Sequence, residues 1–448
     1  MTNNKNQSSL YSQLVQQLLP GLTVSFVAIS LGAAFGVLSG RGALAGILSA
    51  GVIALITAAF GGTRIQCSGP TAPMTAVTIL LVSAVGGGLL ADHPDVDPDR
   101  FINLVLLLTG AMLIVASLLR LGRFIKLIPK IVISGFMNGI ALLIWVGEFC
   151  SIFGIGGKTA YLGNVFVNLA IVLLTLSVIF TLPLLLRKVS DRLNSFFPAT
   201  LIAIVVVSTL SNLFGLDVQH VSLGGSIESL TDIKGMIVGQ LPTEWSLALL
   251  ILAAPFVVQL AMLAYLDTLL TSLVVDRKVE IMHGRQDPTK PNQELCAQGI
   301  ANAAVSVFGG IPGAQATIRS VLILNEGATM RLAGVLVGIF VLIEMLMFQD
   351  LISLIPQAVF SGVLLKVGYD VFDWMPVHQY ISQLLQPSPT QLPPVGHLGM
   401  ALIVGTALLT VLVNLSVAVI VFTIIFYLAR KFCGIEDIKT ESAMHDEG

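Results

Sequence analysis

Long apolar runs separated by short polar connections occupy nearly the whole chain. Because a membrane-spanning helix needs roughly 20 apolar residues, these runs predict membrane spans. Ten runs are long and continuous, at 21–39, 43–60, 102–119, 131–153, 164–186, 198–214, 246–275, 332–348, 398–413 and 414–429. Shorter or Gly- and Pro-interrupted stretches lie at 70–90, 294–308, 314–324 and 351–368, and 375–392 is expected to be a weakly hydrophobic or interfacial segment. The pattern predicts an all-α polytopic membrane protein with about fourteen membrane segments.

Two short motifs recur in the same order in the two halves of the chain. Phe-Gly-Gly precedes a polar stretch that contains Gly, Pro or Thr at 60–75 and again at 308–319. Leu-Ile-Pro, followed by Val, Ser and Gly at the same spacing, recurs at 127–135 and 354–362. Such self-similarity indicates two homologous halves of about seven segments each. Since seven is odd, the second half enters the membrane from the opposite side, and the repeat is inverted.

The repeat and the apolar runs together divide the chain into domains. We expect residues 1–19 to form a polar N-terminal segment and 20–432 to form a single transmembrane domain. Its first repeat covers about 20–215 and its second about 245–432. The polar residues before the first run contain no apolar core, so we expect no cleavable signal peptide.

Lysine and arginine predict the orientation in the membrane. Four cationic clusters fall on one side of a fourteen-segment chain, formed by Arg120, Arg123, Lys126 and Lys130, by Arg187, Lys188 and Arg192, by Arg277, Lys278, Arg285 and Lys290, and by Arg430, Lys431 and Lys439. The opposite side holds Arg41, Arg100, Lys158 and Lys234 beside the acidic stretch at 92–99. By the positive-inside rule both termini, the connection 277–291 and the tail 433–448 are cytoplasmic in a plasma (inner) membrane, and 91–100 lies outside.

Composition narrows the class of function. Hydrophobic residues make up 55% of the 448 residues and charged residues 11%, whereas soluble domains carry about 25% charge. The net charge of −2 provides no basic field for nucleic acid. The four cysteines and six histidines are scattered, without metal-ligand or disulfide spacing. No nucleophile–base set is recognisable either, so we expect neither an enzyme nor a cofactor.

The interrupted segments predict a binding site for an anion. Gly and Pro at the start of a segment leave backbone groups unpaired, which a membrane protein tolerates where they line a cavity. A half-helix that begins inside the membrane also points its positive dipole end at that cavity. Two half-helices, one from each repeat, would meet at the midplane and hold an anion between them. Thr71 and Thr317 lie at their starts and each adds a hydroxyl donor, although helix capping is the alternative role.

Asp267 is an acidic residue inside an apolar run without a neighbouring cation. A carboxylate in a span costs roughly 2.5–3.5 kcal/mol, which makes it a functional candidate. Thr271 lies four residues later on the same helix face. A carboxylate, a hydroxyl and free backbone carbonyls suit Na⁺, while a protonatable carboxyl suits H⁺ coupling. Because Asp276 follows nine residues later, a position of Asp267 nearer the cytoplasmic mouth stays open.

Three more charged residues lie in or beside apolar segments. Arg319 falls in the first turn of the second half-helix, where it is either an anion ligand or the counter-charge of Asp267. Glu148 and Glu344 have no motif around them, and we interpret them as helix–helix contacts or pore-lining residues.

Several of these motifs together resemble the sulfate permease (SulP) family of anion transporters, over about 20–430. The resemblance rests on Ala-Phe-Gly at 34–36, Gly-Pro-Thr at 69–71, the second repeat motif at 128–135 and, most specifically, 292–310. Within the family, the stretches 69–75, 266–271 and 313–317 are most similar to the cyanobacterial BicA-type sodium–bicarbonate symporters.

The resemblance implies a fold, a mechanism and a set of ligands. It implies a seven-plus-seven inverted repeat in which a core, at about 20–122 and 245–348, moves against a gate, at about 126–215 and 350–432, in an elevator-like cycle within a homodimer. It implies that the anion contacts Thr71, Ala316 and Thr317, and Phe35 of the first span and Arg319 are further candidates for the anion. It implies that sodium contacts Asp267, Thr271, Gln315 and Ala316. The family's cytoplasmic STAS domain is not recognisable in the tail, so we expect the chain to be naturally short or truncated.

Other functions fit the same pattern. Arg319 occurs in many sulfate and dicarboxylate transporters of the family, so proton-coupled sulfate or dicarboxylate uptake, or anion exchange, is the main alternative to sodium–bicarbonate symport. A nucleobase transporter of the same fold generally needs paired acidic residues, and Asp267 is the single acid in a matching place. A membrane scaffold that senses anions without transporting them is the remaining alternative.

Overall fold

The computed structural model describes residues 16–127, 129–155, 161–189, 199–221, 238–283, 287–385, 396–413, 415–434 and 437. In chain order its first half contains α1 (Leu18–Leu38), α2 (Ala43–Phe60), β1 (Ser68–Pro70), α3 (Ala72–Ala84), α4 (Pro98–Leu118), α5 (Lys130–Phe153), α6 (Val165–Val189) and α7 (Ala199–Leu213). Its second half contains α8 (Leu247–His283), α9 (Pro291–Val307), β2 (Gly313–Gln315), α10 (Thr317–Asn325), α11 (Arg331–Met347), α12 (Gln349–Ser353), α13 (Gln357–Val371), α14 (Trp374–Leu385), α15 (His397–Leu412) and α16 (Leu415–Cys433).

The helices confirm the reading of the apolar pattern. Each of the ten continuous runs contains one helix, and their ends agree closely, except that α8 continues to His283. Within the described residues, seven helices are long and apolar enough to cross a membrane by length and composition, among them Leu18–Leu38 and Leu247–Glu280. Both copies of the Leu-Ile-Pro motif directly precede a helix, α5 in the first half and α13 in the second, although Ile128 itself lies outside the described residues.

Three of the four shorter or interrupted stretches combine a helix with a second element, whereas 294–308 is the single continuous helix α9. The stretch 70–90 begins with the last residue of strand β1 and contains α3, which continues as a π-helix at Val85–Leu89. The stretch 314–324 is likewise a strand followed by α10, and 351–368 is divided between the short helix α12 and the longer α13. The weakly hydrophobic segment 375–392 contains the helix α14, and its residues 386–392 lie outside the described residues. Lys158, Arg192, Lys234, Arg285 and Lys439, which contributed to the predicted orientation, lie outside the described residues.

Contacts divide the chain into two compact units, and the first contains Met1–Arg123 and Cys150–Val363. Its helices approach one another at glycines. A Cβ on Gly46 of α2 would lie 1.9 Å from the carbonyl oxygen of Gly32 on α1. A Cβ on Gly299 of α9 would lie 2.7 Å from the carbonyl oxygen of Gly110 on α4. Such contacts are typical of membrane helices, where small residues allow close backbone packing.

The second unit contains Phe124–Phe149 and Leu364–Gly448. The indole of Trp145 donates a hydrogen bond to the carbonyl oxygen of Leu365 at 3.0 Å and stacks on the ring of Phe372. Asn138 of α5 accepts a hydrogen bond from the backbone N–H of Asp373 at 2.7 Å. These polar contacts join α5 to the second half of α13 and to the residues directly after it. The predicted boundaries of a core and a gate stay a prediction.

Candidate functional site

The two repeats meet at a pair of short strands inside the first unit. Strand β1 pairs antiparallel with β2, and Ser68, Gly69 and Pro70 lie opposite Gln315, Ala314 and Gly313. All six residues are buried. A helix begins directly after each strand, α3 at Ala72 and α10 at Thr317. Because the strands are antiparallel, the first turns of the two half-helices are brought to one crossing from opposite directions.

The crossing concentrates positive electrostatic potential. The N-terminus of a helix carries unpaired N–H groups and about half an elementary positive charge from the aligned peptide dipoles. Neither α3 nor α10 has its first turn capped by the side chain of the residue that precedes it, Thr71 and Ala316 respectively. The first-turn amides are therefore not occupied by such a cap.

For Thr71 the sequence left two roles open, a cap of α3 and a donor to a ligand. Its hydroxyl oxygen is buried and has no hydrogen-bond partner among the described residues, and its backbone carbonyl accepts from the N–H of Thr75 at 2.9 Å and from the hydroxyl of Thr75 at 2.8 Å. The alternative that the Thr71 side chain caps α3 is therefore not what the structure contains. A buried hydroxyl without a partner is instead available to a ligand.

Thr317 and Thr271 form a direct contact across two elements. Their hydroxyl oxygens lie 2.6 Å apart, which joins the first residue of α10 to the middle of α8. Thr268, one turn earlier on α8, accepts a hydrogen bond from the backbone N–H of Gln315 at 3.3 Å. The face of α8 that carries Asp267 and Thr271 is thus held against the end of β2 and the start of α10.

Asp267 lies beside the crossing and not at the far end of α8. Its carboxyl group lies within electrostatic range of the Thr71 hydroxyl and the Arg319 guanidinium, without a hydrogen bond to the Thr71 hydroxyl among the described residues. Its Oδ2 atom is buried and has no hydrogen-bond partner among the described residues. Asp276, nine residues later, is engaged elsewhere and accepts from the N–H and the hydroxyl of Thr289.

Arg319 is a buried cation at the crossing, with 1% of its surface exposed. Its Nη2 donates to the carbonyl oxygen of Pro70 at 2.9 Å, so the arginine of the second half holds the strand of the first. Its Nε and Nη1 have no hydrogen-bond partner in the described part of the chain, and no ion pair joins it to Asp267 there. A Cβ on Gly69, whose φ is +155°, would lie 2.8 Å from Nη1. Glycine at this position therefore leaves room for the guanidinium.

The remaining predicted site residues also belong to the first unit. Ala316 donates its backbone N–H to the carbonyl oxygen of Cys67 at 3.2 Å. The side-chain carbonyl of Gln315 accepts from the Thr63 hydroxyl at 3.4 Å, while its Nε2 has no partner among the described residues. Phe35 is buried on α1, a helix that packs against β1 and α10.

A polar stripe on α9 supports the crossing, and the sequence analysis assigned it no role. Glu294 accepts from the N–H of Thr63 at 2.8 Å and from Gln66 at 3.0 Å. Gln298, one turn on, donates to the Ser68 hydroxyl at 2.7 Å. The recurrence of polar residues every four positions in one predicted membrane segment, at 294, 298 and 302, was the available signal.

The third member of this stripe is Asn302, which bonds to the second strand. Its amide nitrogen donates to the carbonyl oxygen of Gly313 at 2.9 Å, and its amide oxygen accepts from the N–H of Gly313 at 2.9 Å. The side chain thus pairs with β2 as a neighbouring strand would. Helix α9 therefore holds both strands through buried hydrogen bonds, to Ser68 in β1 and to Gly313 in β2.

Comparison with known proteins identifies the fold around this site. The profile of the Sulfate permease family matches residues 14–384. The chain is 30% identical to the bicarbonate transporter BicA of Picosynechococcus sp. over 89% of its own length and 67% of that protein. It is 31% identical to BicA of Synechocystis sp. over 81% of its length and 62% of that protein. The putative sulfate transporter YbaR of Bacillus subtilis is 26% identical over 81% of the chain and 68% of that relative.

A solved structure agrees with the sequence comparison. The transmembrane domain of a cyanobacterial bicarbonate transporter BicA matches with a TM-score of 0.73 and 29% identity, over 91% of this chain and 97% of that domain. The predicted inverted-repeat fold is thereby confirmed. The chain spans about two thirds of the length of the curated relatives it matches.

Proposed function

The chain belongs to the sulfate permease family of integral membrane anion transporters, and on that premise we propose that it is a sodium-coupled bicarbonate transporter that works by alternating access. One observation carries the proposal. Hydrogen-bond donors of Thr71 and Arg319 are buried, without partners among the described residues, at the place where two half-helices begin. A bound oxyanion would satisfy these donors.

The anion role follows from the energetics of unpaired groups. A buried donor left without an acceptor costs about 1–3 kcal/mol, and more when the group is charged. The Thr71 hydroxyl and the Nε and Nη1 of Arg319 are three such donors. An oxyanion has several acceptor oxygens and a negative charge, and thus suits both the donors and the two helix N-termini. The ligand set of this proposal is Thr71, Ala316, Thr317 and Arg319, with Phe35 in the adjoining wall.

The sodium role rests on the oxygen atoms beside the anion. Asp267 offers a carboxylate oxygen that has no partner in the described part of the chain, and Thr271 offers a hydroxyl. Gln315 and Ala316 add backbone oxygens at the end of β2. Hard oxygen ligands of this kind suit Na⁺, and the ion would compensate the buried charge of Asp267. A cation at this position would also attract the anion nearby, which couples the two binding events.

Two relatives carry the name bicarbonate transporter and a third the name putative sulfate transporter. Proton-coupled sulfate or dicarboxylate transport is therefore the second candidate, and the buried cation Arg319 favours it. A second positive group stabilises a dianion more than a monoanion, and a protonated Asp267 would replace the sodium ion.

The proposal includes the arrangement in the cell. We place the protein in a plasma membrane with both termini in the cytoplasm, as a homodimer. The segments 20–122 and 245–348 would form a core that carries the site, and 126–215 and 350–432 a gate. Alternating exposure of a midplane site between two such bodies is the mechanism expected of inverted repeats.

Uptake by purified protein in proteoliposomes tests the function. We expect labelled bicarbonate to accumulate when an inward sodium gradient is imposed and to equilibrate slowly without it. Labelled sulfate serves as the competing substrate under the same two conditions. Accumulation of sulfate driven by a proton gradient, without an effect of sodium on bicarbonate, would favour the second candidate. Absence of uptake for both anions would contradict transport of either.

A further inference from the structure

A cavity that the proposed function does not use lies in the first unit. It has a volume of about 540 Å³ and lies among α1, α7, α11 and the chain around α12. This volume falls in the range of roughly 300–1,000 Å³ that is usual for small-molecule sites. None of the six residues of the strand pair lines it, nor do Thr71, Asp267, Thr317 or Arg319.

The walls of this cavity are apolar, with one charged residue among the described residues that line it. Of 19 such residues 14 are apolar, and the charged one is Glu344 of α11. Glu344 is 6% exposed. Its Oε1 accepts from the hydroxyl of Ser25 at 2.6 Å, which confirms a contact between α1 and α11. Its Oε2 is buried and has no hydrogen-bond partner in the described part of the chain.

The other polar groups in the wall leave one more site open. The hydroxyl of Ser30 donates to the carbonyl oxygen of Val27, and the hydroxyl of Thr209 donates to the carbonyl oxygen of Val205. Asn212 donates to the carbonyl oxygens of Ser208 and Leu354. The hydroxyl of Ser208 itself is buried and lacks a partner among the described residues.

We propose that this cavity binds a single-chain amphiphile with an ammonium head group, whose head is held by Glu344. Charge complementarity selects the head, because the described residues of the wall offer a carboxylate oxygen without a partner among them and include no lysine or arginine. The apolar walls select the chain. Val205, Phe348 and Leu351 at the rim are 56%, 39% and 59% exposed, so the ligand enters through an apolar mouth. An ionisable residue in a membrane segment is a functional candidate on general grounds as well.

Photocrosslinking of the full chain in phosphatidylcholine nanodiscs tests this site. The probe is decylamine with a diazirine on its chain, and mass spectrometry locates the labelled peptides. We expect label on α7 and α11 that unlabelled decylamine displaces. Decanol, which has the same chain without the charge, should compete about tenfold or more weakly, because it lacks a charge-assisted hydrogen bond. Decanoate, with the opposite charge, should not compete.

A matched pair of variants tests the residue. Glu344→Gln retains the shape and the acceptor for Ser25 but removes the charge, so decylamine and decanol should compete equally. Asp350→Asn, an exposed acid outside the cavity wall, should retain the preference for the amine. If Glu344→Gln does not fold, the competition by decylamine, decanol and decanoate is measured on the unmodified protein and on Glu344→Asp. Because Glu344→Asp keeps the charge, it should retain the preference for the amine.

Three outcomes would overturn the proposal. In the first, decylamine does not displace the label. In the second, decanol or decanoate competes as well as decylamine on the unmodified protein. In the third, the Glu344→Gln variant still prefers the amine. A neutral lipid chain as occupant would produce the second of these. Displacement of the label by decylamine together with the loss of preference in Glu344→Gln would support it.

Discussion

The hydroxyl oxygens of Thr271 and Thr317 lie 2.6 Å apart, so the helix that carries Asp267 is bonded to the first residue of the second half-helix. If the Thr271 hydroxyl donates, its own lone pairs stay free for a cation, and the hydroxyl hydrogen of Thr317 stays free for an anion. Both proposed ligands then favour the same orientation of this hydrogen bond. This relationship provides a short physical route by which sodium and anion binding could strengthen each other.

The anion site predicts the effect of removing single hydroxyls. Thr71→Val and Thr317→Val retain the β-branched shape and delete one donor each. A hydrogen bond to a charged acceptor contributes about 1.5–3 kcal/mol, so KM for the anion should rise about tenfold to a hundredfold. Thr71→Ser, which keeps the hydroxyl, is the control and should change KM little. Unchanged KM for every anion in both valine variants would place the substrate elsewhere.

The coupling role predicts a selective defect in Asp267→Asn. The substitution removes the negative charge that a sodium ion would neutralise but preserves the size of the side chain. We expect a folded protein, judged by size-exclusion chromatography, whose uptake no longer responds to a sodium gradient. Asp276→Asn on the same helix keeps an acceptor for Thr289 and should retain the sodium response. Retained stimulation by sodium in a folded Asp267→Asn protein would exclude this residue from coupling.

Arg319→Ala separates the two roles considered for that residue. Because no ion pair joins Arg319 to Asp267 in the described structure, we expect the substitution to weaken anion affinity, and sulfate affinity more than bicarbonate affinity. Competition by each anion in the uptake assay measures the difference. If the arginine acted as a counter-charge instead, the concentration of sodium required for half-maximal uptake would fall, since Asp267 would hold the cation more tightly.

The polar stripe on α9 predicts a loss of stability at Asn302. Asn302→Asp retains the shape but replaces the donor to the Gly313 carbonyl with a second acceptor. The buried carbonyl then lacks its donor and faces a carboxylate oxygen, so the free energy of unfolding should fall by about 1–3 kcal/mol or more. Thermal unfolding of the purified protein should show a lower Tm, and KM for the anion should rise as β2 shifts. Ile300→Ala, on an exposed part of the same helix, should affect KM much less.

The orientation in the membrane is testable by cysteine accessibility in a background without the four native cysteines. A cysteine at Pro288, an exposed position in the connection 277–291, should react with an impermeant maleimide only after the membrane is opened. A cysteine at Asp95, exposed in the connection 91–100, should react in intact cells. The reverse pattern would invert the topology and place both termini outside.

The apolar pattern determined the membrane class and the positions of the helices, and the two recurring motifs together with the segment count determined the inverted repeat. The physical reason is that lipid requires each span to be long, apolar and internally hydrogen-bonded, so every span is visible in the local sequence. The two half-helices were visible for the complementary reason, because Gly and Pro interrupt the apolar runs where the chain forms β1 and β2.

The tertiary structure decided which of those residues meet. The contact between Thr271 and Thr317 joins positions 46 residues apart, and the bond from Arg319 to Pro70 joins positions 249 apart. No local pattern encodes such pairs, because they depend on how the two repeats cross. The polar recurrence on α9 marks Asn302 as a member of a stripe, and only the fold shows that its partner is the backbone of Gly313.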